Sequence, residues 1–206
     1  MSKILVARSG DLGFVKVVGR GSFQNSGCLK AFYLQLLKEG VTRFIIDLGA
    51  CTYLDSTFLG ILLGLGLKLR ESGKGLLNIL NASSRNLELL RNLGLDRLIQ
   101  LSGGSLPGDV KPSSGNAPGE GPDAAGKTAP LSPPDGNGKG SAAINLAGVK
   151  EENLEEVPCP VPTRAEAAPT ILEAHEALMK FDPRNVPKFK DVVEFLREDL
   201  GQTAKS

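Results

Sequence analysis

"TRFIIDLGACTYLDSTFLGILLGL", residues 42–65, is the stretch on which the fold turns. It opens with a short continuous apolar run, Phe44-Ile45-Ile46, of the length expected for a strand buried on both faces. It closes on a longer run, Phe58 to Leu67, that is apolar on every side. That run has ten residues against the ~20 needed to cross a bilayer, so it reads as a helix buried in a core. Between the two lies a polar knot, Asp55-Ser56-Thr57. A serine between a strand and an apolar helix is positioned as the helix N-cap, accepting an N–H from the first turn. It is equally positioned as an exposed hydroxyl at a helix N-terminus, where the dipole and unpaired N–H groups favour a phosphate. The residue types leave both readings standing.

The pattern continues on both sides of this stretch. "KILVAR" (3–8) and "GFVKVVGR" (13–20) are β-branched runs separated by "SGDL", which predicts a hairpin with Gly10 and Asp11 in the turn. "SGCLKAFYLQLLKEG" (26–40) carries Leu29, Phe32, Tyr33, Leu36 and Leu37 at helical spacing, opening on Ser26 and stopping at Gly40. "GLLNILN" (75–81) is a second buried strand. "SSRNLELLRNLGL" (83–95) is a helix capped by Ser83 or Ser84 and ended by Gly94, before a last strand "RLIQL" (97–101). Strands alternating with helices imply an α/β sheet with helices packed against it.

Composition changes abruptly after residue 102. Residues 103–169 hold 11 of the 13 prolines and 11 of the 25 glycines, and no aromatic residue. Such a segment buries too little apolar surface to offset its ordering entropy, so it is expected to be a disordered linker, with "INLAGVKEENLEEV" a short element inside it. Residues 170–200 are helical again. Phe189, Val192, Val193, Leu196 and Leu200 are expected to share one face, and Pro183 and Pro187 to break the segment between Asp182 and Val186. A stretch this short holds no core of its own, so it is expected to dock on residues 1–102.

Charge and cysteines narrow the class. The formal charge is +1, made of +6 over residues 1–102 (13 basic, 7 acidic side chains), −4 over 103–169 and −1 over 170–206. With no basic stripe and no interleaved aromatics, nucleic acid is not the expected partner. Cys28, Cys51 and Cys159 are odd in number and widely spaced, against a disulfide framework and in favour of a reducing compartment; with only four apolar residues before Arg8 there is no signal-peptide core, and a cytoplasmic location is expected. His175, the single histidine, stands without a neighbouring ligand cage and reads as an ordinary helix-face residue, so no metal and no cofactor are expected. "ESGKG" (71–75) lacks the glycine and the Ser/Thr of a phosphate loop, and "GRGSF" (19–23) reads as a turn. Neither supports an enzyme.

The order Asp47-Leu48, a short gap, then Asp55-Ser56-Thr57-Phe58-Leu59-Gly60 resembles the STAS domain of bacterial anti-sigma factor antagonists. Phe58 stands where Gly or Ala is usual. The resemblance implies a STAS-like mixed sheet over residues 1–102 with helices on one side, completed by the C-terminal segment. It implies a non-catalytic partner switch, with Ser56 the phosphorylation site, Thr57 a second hydroxyl, and Asp55 to Gly60 the partner-binding stretch. The implied partners are an anti-sigma factor or serine protein kinase, and a phosphoserine phosphatase that resets the switch. The competing reading is a nucleotide-sensing or scaffold STAS module that is never phosphorylated. Oligomeric state stays open.

Overall fold

A computed structural model describes residues 2–73, 75–102 and 149–203. β1 (Lys3–Ser9) and β2 (Leu12–Gly21) form the expected antiparallel hairpin, and Gly10 takes a φ of 59° in its turn. β3 (Arg43–Asp47) runs parallel to β2, β5 (Leu76–Leu80) parallel to β3, and β6 (Gln100–Ser102) parallel to β5. β4 (Cys51–Leu54), which hydrophobic runs alone do not disclose, pairs with the end of β2 across a register shift between Gly19 and Arg20. β7 (Glu155–Glu156) adds an antiparallel edge beside β1, giving the order β6-β5-β3-β2-β1-β7. The sheet is therefore mixed, with helices against one face.

Several boundaries differ from the sequence reading, each for a local reason. α1 (Phe23–Lys38) starts before Ser26: Asn25 Oδ1 accepts the Ser22 N–H at 2.9 Å, so Ser22 is the cap, and Ser26 lies fully buried inside the first turns. "GRGSF" consequently ends β2 and enters α1 instead of forming a turn. α2 (Ser56–Glu71) follows β4 as expected, and α3 (Ser84–Asn92) is capped by Ser83 and followed by Gly94 at φ 81°. "RLIQL" divides between a 3-10 turn at Leu95–Arg97 and β6. Of the segment composition assigns to a linker, residues 103–148 lie outside the described residues. Residues 149–169 carry defined structure: Val149 is buried, the Val157 N–H bonds Ile4 O at 2.9 Å, and α4 (Arg164–Phe181) has already begun. Lys74 of the "ESGKG" stretch is also outside the described residues.

The strands alternate as half-buried strands must. Ile4, Val6, Val15, Val17, Phe44, Ile46, Leu77 and Ile79 face α1 and α2 in the main core. Leu12, Phe14, Ile45 and Leu80 face the other way, where Val149 packs with them and Leu154 joins from the side. Both faces of the sheet are thus covered, one by helices and one by the segment leading to β7.

α4 lies against the outside of α2, and α5 (Val186–Thr203) lies against α4, joined by a 3-10 turn at Pro183–Asn185 where the prolines predicted a break. The close approach has a visible cause: a Cβ built on Gly60 would sit 2.5 Å from the Ala174 carbonyl oxygen. The turn is fastened by Asn185, completely buried, whose Nδ2 donates to Leu93 O at 3.1 Å and Leu178 O at 3.0 Å. Lys188 Nζ adds a bond to Asn92 O at 2.8 Å. On α5, Val193 and Leu196 are buried and Phe189 and Leu200 are partly so, but Val192 is 41% exposed. The apolar stripe runs 189, 193, 196, 200, and Val192 lies off it because the cover it meets is the narrow ridge of α4 and not a broad sheet.

Leu178, at 0% exposure within the main core, measures how far the C-terminal helices belong to the domain. Leu178→Ala is expected to lower the unfolding free energy by about 2–5 kcal/mol, the range for deleting a buried Leu side chain, in a single urea transition. A separate early transition that the substitution shifts, with the main one unchanged, would show α4 and α5 to be an independent unit.

Candidate functional site

Asp55 organises the region. Its Oδ1 accepts the Phe58 N–H at 2.9 Å, which makes Asp55, and not Ser56, the N-cap of α2. Its Oδ2 accepts the Phe23 N–H, also at 2.9 Å, at the start of α1. One carboxylate therefore satisfies orphan donors of two helices, where both positive dipole ends converge. The order β4, Asp55, α2 delivers it there, because the chain leaves the sheet at Leu54 directly beside the end of β2.

Ser56 is consequently the first helical residue, half-buried, and its hydroxyl points at the C-terminal helices. Ser56 Oγ lies 2.8 Å from His175 Nε2 of α4. His175 Nδ1 lies 2.8 Å from Ile171 O. A carbonyl cannot donate, so Nδ1 carries the proton, Nε2 is bare, and the Ser56 hydroxyl donates to it. The imidazole is 5% exposed and its other side meets the Phe189 ring of α5, centroids 4.8 Å apart. The reading of His175 as a plain helix-face residue is thus corrected: it is buried and joins Ser56 to α4. No spacing rule could find that bond, since its two ends are 119 residues apart.

The remaining residues of the stretch expected to bind a partner are placed as follows. Thr57 is 4% exposed; Phe58 and Leu59, at 0% and 1%, point into the core; Gly60 is buried against Ala174. Only Asp55 and Ser56 of the six reach the surface even partly. Close by, Lys30 of α1 forms an ion pair with Glu173 of α4, so α4 is held to both helices around Ser56. Among the described residues no three His, Cys, Asp or Glu side chains gather into a metal-binding cluster, and no helix is long and apolar enough to cross a membrane.

Burial holds the His175 pKa below its ordinary 6.5, against the weaker upward pull of Ile171 O and the Asp55 charge. The folded state then binds fewer protons than the unfolded one as soon as the pH drops through 6.5. His175 contributes its full stability above that value and loses it progressively as the pH falls toward the lowered folded pKa. Urea titrations of wild type and His175→Gln are expected to diverge below pH 6.5, the wild type losing stability more steeply; parallel curves would contradict the buried neutral imidazole.

Residues 4–100 match the family model described as "Mlab, STAS domain". No curated protein sequence matches the chain. Among solved structures, a Thermotoga maritima protein described as an anti-sigma factor antagonist aligns with 17% identity over 49% of this chain and 86% of its own, TM-score 0.45. The anti-sigma factor antagonist SpoIIAA in its unphosphorylated form aligns with 16% identity over 50% and 89%, TM-score 0.44. The phosphorylated form of the Bacillus cell fate determinant SpoIIAA gives 17% over 48% and 90%, TM-score 0.41. The family match spans residues 4–100, which hold the Asp55-Ser56-Thr57 stretch and the mixed sheet up to β6.

Proposed function

We propose that this protein is a non-catalytic regulatory switch of the anti-sigma factor antagonist type. In this reading it binds an anti-sigma factor or serine kinase while Ser56 carries a free hydroxyl, and phosphorylation of Ser56 releases the partner until a phosphatase removes the group. The observation that carries the reading is the hydroxyl of the partly buried Ser56, at the first position of α2 and bonded to a side chain of α4. Phosphorylation would replace a neutral donor with a charge of about −1.5 to −2 and remove the proton that His175 Nε2 accepts. The change would be felt at once by α4, by Asp55 and by any surface that meets them. The partner would engage the rim formed by Asp55, Ser56 and the adjoining turns of α1 and α4, since Thr57, Phe58 and Leu59 are interior.

The alternative, a STAS scaffold that is never phosphorylated, draws on the same bond: a hydroxyl tied to a buried imidazole under α4 is a good structural clasp. Two measurements separate the readings. Protein isolated from its native cell is expected to carry one phosphoryl group on Ser56 in part of the population. Ser56→Ala is expected to retain a co-purifying protein partner that Ser56→Asp binds about tenfold more weakly or worse, a difference of about 1.4 kcal/mol. Unmodified Ser56 under all growth conditions, with equal partner recovery for both variants, would leave the scaffold reading standing and remove the switch.

A further inference from the structure

The chain between β7 and α4 crosses the start of α1 with little backbone support. Pro158, Pro160 and Pro162 alternate along this strap, each with no N–H to donate. What meets α1 there is sulfur. Cys28 Sγ lies 3.7 Å from the Pro158 carbonyl oxygen, which sets it against the peptide that joins Pro158 to the next residue, Cys159. Both cysteines are free and half-buried. Beside them opens a cavity of ≈ 440 Å³ lined by Phe23, Gly27, Cys28, Pro160 and Val161, through which a small oxidant reaches Cys28.

We propose that Cys28 and Cys159 are a redox-modification site, closing under peroxide into a disulfide that staples the strap, and with it the entry to α4, onto α1. The thiolate of Cys28 attacks a peroxide oxygen, the O–O bond breaks, and a sulfenic acid forms as hydroxide leaves and takes up the thiol's proton as water. The Cys159 sulfur attacks the sulfenic sulfur, the S–S bond forms, the S–O bond breaks, and a second water departs. Two electrons pass from the sulfurs to the peroxide, and a dithiol reductant reverses the change. The cavity is lined by Cys28 and not by Cys159, so Cys28 is the sulfur that the peroxide meets first, and burial, with the neighbouring Cys28 and the Glu156 charge, pushes the Cys159 thiol up. Cys51 is an internal control, buried with its Sγ 3.3 Å from Tyr53 O. The inference uses neither Ser56 nor a partner, and stands or falls apart from the proposed switch.

The test treats the full chain with hydrogen peroxide, alkylates the remaining thiols under denaturing conditions and maps the products by mass. The expected result is one alkylated cysteine, Cys51, a Cys28–Cys159 crosslinked peptide from a monomer, slower amide exchange across residues 155–163, and three alkylated thiols again after dithiothreitol. In Cys159→Ser the intramolecular crosslink is expected to vanish and Cys28 to be trapped as its sulfenic acid by a cyclic dione. Three alkylatable thiols after oxidation, a crosslink involving Cys51, or one joining two chains would overturn the assignment.

Discussion

An apolar helix with no polar face is the constraint on which the rest depends. From Thr57 to Leu63, and again at Leu65, Gly66 and Leu69, α2 is buried. A sheet covers a helix on one side only, and a helix that is hydrophobic all round needs partners on every side. α1 and the sheet cover the inner faces, and α4 covers the outer one. The glycines of "FLGILLGLGL" serve this arrangement: Gly60 lets the α4 backbone approach where any Cβ would collide with Ala174 O, and Gly66 admits Leu98, 2.7 Å from where its Cβ would stand. The segment at residues 164–203 is thus the outer wall of the domain, not an appendage.

The candidate site is a consequence of that wall. Asp55 joins the N-termini of α1 and α2 because β4 ends beside β2, and Ser56 follows it as the first residue of α2. With α4 in place, the Ser56 hydroxyl meets His175. A hydroxyl donating to a neutral, buried imidazole is satisfied and nearly charge-free, which is the condition under which a new negative charge does the most: it removes the donor and introduces repulsion beside Asp55 in a poorly solvated corner. The opposing influence is the positive end of α2, which favours a phosphate at its first turn. Under the proposed function, the balance between helix dipole and crowded carboxylate would set the effect of a phosphate at this position.

Much of the fold was legible because its rules are local. The hairpin at Gly10, the strands Arg43–Asp47 and Leu76–Leu80, the serine cap of α3 and the proline break at Pro183 all follow from turn chemistry, apolar runs and backbone sterics. The docking of the helical C-terminus on residues 1–102 was also legible, because an amphipathic stretch that short holds no core of its own, and it packs against α2. What stayed hidden depends on contacts distant in sequence. β4 is only Cys51 to Leu54 and owes its strand form to the end of β2. Residues 149–157 look like linker by composition, yet Val149 and Leu154 fill the helix-free face of the sheet. Ser56 and His175 meet only after α4 folds over α2, and the capping role of Asp55 was masked by an adjacent serine that caps equally well in isolation.

The central claim is that Ser56 and His175 hold each other across the two halves of the chain, and a double-mutant cycle tests it most directly. Unfolding free energies of wild type, Ser56→Ala, His175→Ala and the double variant give the coupling between the two side chains without reference to any partner. A bond between a hydroxyl and a buried imidazole predicts a coupling of about 0.5–1.5 kcal/mol. Additive losses, with no coupling beyond error, would contradict the account.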